Sequence, residues 1–390
     1  MQVLLHNIGE TFTGIFEQPT ADIDAIVVDD SRIASFDAAD ASNPDISIDC
    51  KGMTAAPGLV DTHVHPTLGD YGTKQQSVGY LQQMVHGAVT RVMSAGEVHV
   101  AGRIDAESAF AIAHAAFVSY RSFRPAGMKV HGGAMLFEKD TEFSHIDRAY
   151  AAGMRIIGEV GIGGLKDPVR SGELSMYARE LGMTVHMHCG CTSDRGPGGE
   201  AHPYFGAEDV LTVRPSIASH MNTFASLSDD DIDLLCSDAN APPFIEVVQA
   251  GGARSMLRVI ERLSERDELG RLLIGTDTPT GYGITSLGIV KTIGDICSLG
   301  GVAPELGWAI ASGQGARAFG VDGNQLAIGK EADIVVMDAS LGSVESSAAT
   351  ALAAGEFPGV ALVMIDGQVQ IRGSLCTLRA RRVADVEMAA

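Results

Sequence analysis

The run Asp61-Thr62-His63-Val64-His65 sets two imidazoles two residues apart. On a strand, side chains alternate, so both rings point to one side and can grip one metal ion. The preceding Pro57-Gly58-Leu59-Val60 reads as the entry of a buried parallel strand, so the pair emerges at the strand's carboxyl end. An isolated HxH pair serves equally well as solvated or structural histidines. What changes the balance is that further ligand types recur behind other apolar runs: Glu159, His188, His220 and Asp277.

Those residues need elements that bring them together. From residue 58 to 320, short β-rich runs alternate with helical patterns, the sequence form of repeated βα units. Eight runs are legible: 60–65, 89–94, 128–131, 155–160, 184–188, 216–220, 244–248 and 272–277. They predict an α/β fold, a (β/α)8 TIM barrel, whose architecture carries the carboxyl ends of all strands to one mouth. Between them, alanine-rich 106–120 reads as a helix, and Ser226 opens a stretch whose acids Asp229, Asp230 and Asp231 favour a helix N-terminus. Both chain ends instead alternate in the manner of antiparallel strands, at 3–5, 25–34, 332–338 and 360–367. We expect residues 1–57 and 321–390 to form one small composite β-sandwich domain and 58–320 the barrel domain.

At the mouth, strand one offers His63 and His65, strand four Glu159, strand five His188, strand six His220 and strand eight Asp277. Four imidazoles and two carboxylates suit two divalent transition metals bridged by one carboxylate and one water-derived oxygen. One ion polarises a carbonyl, and both depress the pKa of the bridging water, so that hydroxide exists near neutrality. Asp277, beside that water, accepts its proton and passes it to a leaving nitrogen. Duller readings stand beside these. His63 and His65 as ordinary strand-end polar residues, Glu159 as an orienting group, and Asp277 as a helix cap in Thr276-Asp277-Thr278-Pro279 are the alternatives.

Composition narrows the class. The chain has 390 residues, 45% of them hydrophobic and 20% charged. No apolar run reaches the ~18 residues that a membrane span needs, and the N-terminus lacks the sections of a secretory signal. A cytoplasmic protein without membrane association is the expectation. The net charge of −21 repels phosphate backbones, and the basic cluster Arg379-Ala380-Arg381-Arg382 is short, so nucleic acid is not an expected partner. Six scattered cysteines fit free thiols better than a disulfide framework, and Cys189-Gly190-Cys191 without a second pair is a weak zinc signal.

Together, Pro57-Gly58-Leu59-Val60-Asp61-Thr62-His63-Val64-His65, the closing 311–318 stretch and Ile328-Gly329-Lys330-Glu331-Ala332-Asp333-Ile334-Val335 resemble the amidohydrolase superfamily over nearly the whole chain. Many binuclear members bridge their metals with a carboxylated lysine on strand four, where this chain carries Glu159. That glutamate, with Gly69-Asp70-Tyr71, the 124–134 stretch, Ser219-His220-Met221-Asn222 and Leu341-Gly342-Ser343-Val344, is similar to the enamidase family. The resemblance implies that His63, His65 and Asp277 hold one ion, that His188 and His220 hold the other, and that Glu159 bridges them. It implies zinc or iron as the metals, and a homo-oligomer, a tetramer. It also implies hydrolysis of a cyclic-amide C–N bond by a metal-bound hydroxide. The family's reaction opens 6-oxo-1,4,5,6-tetrahydronicotinate to 2-formylglutarate and ammonia during nicotinate breakdown.

The chain departs from that pattern at 189–206, a longer segment that follows strand five and would line the pocket. His186 stands where an uncharged polar residue is expected. It should face the same way as His188 one layer deeper, as a hydrogen-bonded core histidine. A carboxylated substrate needs a cation or amide donors near the mouth, for which His131, Lys74 and Arg195 are the candidates. His131 is placed at the end of strand three, where a partner of a metal ligand is the alternative. A carboxylated Lys129 in place of Glu159 would sit on the wrong strand. Another lactam, cyclic imide or amidine is the alternative small-molecule substrate, and a non-catalytic scaffold on the same barrel the remote one.

Overall fold

The computed structural model describes residues 1–66, 77–96, 102–190, 204–223, 227–280, 283 and 285–389. Eight parallel strands, each followed by a helix, occupy the middle of the chain. The strands are Leu59–Val64, Val89–Ser94, Lys129–His131, Ile156–Val160, Thr184–His188, Ile217–Ser219, Phe244–Val248 and Leu272–Gly275, numbered here as barrel strands one to eight. Strands one to three form one ladder and strands four to eight another. Two parallel bridges join the ladders into a ring, Met135 to Ile157 between strands three and four and Val64 to Thr278 between eight and one. This is the expected TIM barrel.

The strand compositions follow from that closure. Helices cover the outside and packed side chains fill the inside, so every residue of Leu59–Val64 and of Val89–Ser94 is buried. The helices start as local chemistry dictates. Asp105 caps Ala106–Ser122 by accepting from the Ser108 amide, and Ser228 caps Asp229–Ser237 through the Asp231 amide at 3.1 Å. The cap thus falls on Ser228 rather than at the expected Ser226, which lies outside the described residues. Ser228 is the residue that directly precedes the acidic first turn.

Both chain ends build two sheets. One runs Asp385–Met388, Ile46–Asp49, Gln2–His6, Ile26–Asp29, Arg32–Ser35; the other runs Gln368–Arg372, Gly359–Ile365, Ile334–Asp338, Thr54–Pro57, Glu10–Ile15, Gln18–Thr20. Inward side chains of both, among them Leu5, Ile26, Ile48, Ile334, Val336 and Leu362, share one apolar core, so the sheets stack as a sandwich. The barrel is tied to it by buried polar contacts: Trp308 Nε1 donates to the Pro57 carbonyl at 2.9 Å, and Asn324 Nδ2 to that of Gly58 at 2.8 Å. Among the described residues, no helix is long and apolar enough to cross a membrane.

Candidate metal centre

Period-2 alternation on strand one turns His63 and His65 into the barrel, and the structure fixes both rings from behind. His63 Nδ1 lies 2.7 Å from Glu246 Oε2, and His65 Nδ1 lies 2.9 Å from the Gly96 carbonyl. These contacts direct each Nε2 toward the centre of the mouth. Strand eight must pass close to His63. A Cβ on Gly275 would come within 2.6 Å of the His63 Cβ, which explains the glycine there. Asp61 ties the two strands together, accepting from the Thr276 amide at 3.0 Å and from its hydroxyl at 2.5 Å.

Glu159 stands in the middle with its two oxygens turned to different partners. Oε1 is 2.5 Å from His220 Nε2 and 3.6 Å from His188 Nδ1; Oε2 is 3.7 Å from His63 Nε2 and 3.8 Å from His65 Nε2. Asp277 Oδ1 lies 3.2 Å from His65 Nε2 and 3.7 Å from His63 Nε2. The six residues therefore divide into two groups, His63, His65 and Asp277 on one side and His188 and His220 on the other, with Glu159 reaching both. All six are buried, none more than 3% exposed.

The donor set fits metal ions. Ligands held at about 2.0–2.1 Å around a tetrahedral ion stand about 3.4 Å apart, and most of the spacings above lie near that value. His63, His65 and Glu159 form one group whose ligand atoms all lie within 4.8 Å of one another, and Glu159, His188 and His220 form a second. Among the described residues, His63 Nε2, the nitrogen turned toward Glu159 and Asp277, is buried with no hydrogen-bond partner. Leaving such a group unsatisfied costs about 1–3 kcal/mol, which a bound ion would relieve.

The electrostatics point the same way. Burial alone would raise the Glu159 carboxyl, but the charges of His220 and His63 hold it well below the usual carboxylate range. Burial likewise opposes charging of His63, yet Glu246 and Glu159 lift it well above its ordinary value, while His63 in turn holds Glu246 down at about 2 despite its burial. His188, dominated by burial, falls to about 4. Without metal, imidazolium and carboxylate compensate one another, a role that divalent ions would take over on displacing the protons. Two of the six residues also carry backbone strain, His220 at φ 36° and Asp277 at φ 61°.

Not every expected residue joins this group. His131 does not end strand three at the mouth. Beyond His131 the chain leaves the ladder at Gly132 and Gly133 and bridges strand four at Met135, to Ile157, so the mouth lies several residues further on. His131 is instead near the amino end, 2.7 Å from Arg91 Nη1. Lys129 lies lower still, in ion pairs with Glu331, Asp333 and Asp366 at 2.7–2.8 Å, and does not face the histidines. Lys74, Arg195, Cys191 and most of the 189–206 segment lie outside the described residues. The described base of that segment is pinned by a bridge between Gly190 and Phe205.

His186 sits one layer below the centre, its Nδ1 3.0 Å from Ser219 Oγ and its ring 5.7 Å from that of His63. Glu246 escaped the reading of the sequence, although a lone carboxylate inside the apolar run Phe244-Ile245-Glu246-Val247-Val248 is itself a signal, since buried charges need partners.

No family model matches the chain. It is 36% identical over 394 residues to the enamidase of Eubacterium barkeri, covering 99% of both proteins. A crystal structure of enamidase, described as a new member of the amidohydrolase superfamily, superimposes with a TM-score of 0.93 at 35% identity over 99% of this chain and 100% of that one. N-isopropylammelide isopropylaminohydrolase from Burkholderia multivorans shares the fold, with a TM-score of 0.65 at 18% identity over 97% of this chain and all of that one. A TIM barrel with histidines and carboxylates gathered at its mouth is the architecture of a metal-dependent hydrolase of carbon–nitrogen bonds. The chain belongs to the enamidase family of the amidohydrolase superfamily.

Proposed function

We propose that this protein opens the ring of a cyclic enamide, 6-oxo-1,4,5,6-tetrahydronicotinate, to give 2-formylglutarate and ammonia. The observation that carries the reading is the split of Glu159, whose two oxygens address two separate histidine groups, together with its place in a chain 36% identical to an enamidase. His63, His65 and Asp277 would hold one ion and His188 and His220 the other, with Glu159 shared between the two, and zinc or iron would be the metals. When bound, the ions supply Lewis acidity toward the ring carbonyl and acidify water.

The chain's own residues do the rest. Glu246 keeps the His63 ring oriented through its 2.7 Å contact with Nδ1. Asp277 takes the proton of the attacking water and delivers it to the ring nitrogen as the C–N bond breaks. The freed enamine tautomerises to an imine, and a second water converts that to aldehyde and ammonia. Arg195 or Lys74 receives the substrate carboxylate, and the 189–206 segment shapes the pocket. The protein works in the cytoplasm as a homotetramer.

The test is ammonia release and loss of ultraviolet absorbance when zinc- or iron-loaded protein meets 6-oxo-1,4,5,6-tetrahydronicotinate. Turnover that a chelator abolishes is expected. No turnover by protein shown to hold two ions per chain would overturn the substrate assignment and direct the search to other lactams, cyclic imides or amidines.

A further inference from the structure

A cavity of about 380 Å³ lies at the end of the barrel opposite the metal centre, between the amino ends of strands two to four, the helix Ala106–Ser122 and the returning chain at 319–331. Phe319 separates it from the metal centre. Its ring forms part of the cavity wall and lies 5.3 Å from that of His186, which in turn sits beneath His63.

The lining is cationic in a protein whose net charge is −21. Arg91, Arg121, Arg124, Lys129 and Arg155 face two carboxylates, Glu331 and Asp366. Those two are already engaged. Glu331 pairs with Arg91 at 2.5 Å and Lys129 at 2.7 Å, and Asp366 with Arg124 at 2.7 Å and Lys129 at 2.8 Å. Arg121 and Arg155 have no carboxylate partner among the described residues. Arg121 lies over the Phe117 ring, and Arg155 stacks on Tyr150 while one nitrogen, Nη1, donates to the carbonyls of Tyr150 and Met154. Among the described residues, the remaining N–H groups of both are uncommitted.

His131 adds a further donor. A guanidinium can only donate, so His131 Nε2 must accept from Arg91 Nη1, and the ring proton is fixed on Nδ1. Among the described residues that Nδ1–H has no hydrogen-bond partner. The walls beside these donors are apolar, from Met93, Phe117 and Phe319. Uncommitted donors and positive charge beside an apolar wall are what a small carboxylate with a hydrophobic body requires.

We propose that this cavity is a second ligand site, distinct from the metal centre, which binds a small organic carboxylate through Arg121, Arg155 and His131. It lies at the end of the barrel remote from the chemistry, so its role is binding, not catalysis.

Benzoate serves as the probe, titrated calorimetrically into metal-loaded protein with inorganic phosphate as a competitor. One benzoate should bind per chain, and the Glu159→Gln variant should bind it equally. The double variant Arg121→Ala/Arg155→Ala, which alters exposed side chains only, should weaken binding by about tenfold or more, the scale of losing a charge-assisted hydrogen bond. His131→Phe, which keeps an aromatic ring and removes the donor, should weaken it less. The thermal midpoint of each variant checks its fold. Absence of benzoate binding, binding indifferent to the arginine variants, or binding lost only with Glu159→Gln would overturn the proposal. So would phosphate displacing benzoate at equal concentration, since that outcome marks a general cation patch.

Discussion

The two ends of the barrel both bury charge, and they satisfy it differently. At the amino end Lys129 Nζ lies 2.7–2.8 Å from carboxylate oxygens of Glu331, Asp333 and Asp366, and the same Glu331 receives Arg91. Every one of those charges has a partner, and the partners come from the barrel on one side and the returning chain on the other. At the carboxyl end His63 Nε2 is buried with no hydrogen-bond partner among the described residues, and His220 and Asp277 adopt positive φ. The buried network at the amino end is complete and clamps two parts of the fold, whereas the uncommitted donors at the same end, Arg121 and Arg155, are exposed side chains beside it. An incomplete network, held in a strained frame, is a place prepared for something to bind.

Substitutions at the two ends should therefore separate activity from stability. The largest effect falls on Asp277→Asn, which removes the proposed proton acceptor. We expect kcat to drop by about 10²–10⁴-fold, the usual contribution of a general acid–base group, with part of the metal retained. Near-normal turnover would refute the role. At the other end, Lys129→Met should lower stability by about 3–5 kcal/mol, because Asp333, fully buried, loses its compensating charge. Chemical denaturation measures the loss, and the folded fraction should keep its metal. A loss of metal without a loss of stability would reverse the assignment of the two ends.

A smaller effect is expected from pH. Burial lowers His186 from 6.5 to about 4, so between those values the unfolded chain takes up a proton that the folded chain refuses. Stability contributed by the neutral ring is whole above pH 6.5 and declines as pH falls toward about 4, by about 3 kcal/mol for this one group. Metal-free protein should unfold at lower denaturant at pH 5 than at pH 7, and the His186→Gln variant should show a shallower decline. An unchanged slope would remove His186 from the account. Glu246→Gln comes last, with metal affinity or turnover reduced about 10–100-fold through the freed His63 ring. Unaltered metal affinity and turnover would mean that packing alone holds His63.

Strand one was legible because the apolar run, the glycine entry and the alternating histidines agree over nine consecutive residues, 57–65. Glu159, His188, His220 and Asp277 were legible for the same reason, each closing an apolar run. Strand three misled. Gly132 and Gly133 look like its end, and Gly133 does adopt φ 89°, but the chain runs on to pair at Met135, which moves His131 from the mouth to the far end. Glu246 was hidden by its neighbours, since a glutamate in an aliphatic strand shows its purpose only when His63 and Thr62 are seen 2.7 and 2.5 Å away. Long-range partners of this kind, here 183 and 184 residues apart, leave no local pattern to read.

Metal content tests whether Glu159 joins two metal sites. Elemental analysis of wild-type protein and of Glu159→Gln, both reconstituted with zinc or iron and freed of loose metal, should give about two ions per chain for the first and about one for the second. Two ions retained by the variant, or a single ion in the wild type, would contradict the binuclear account.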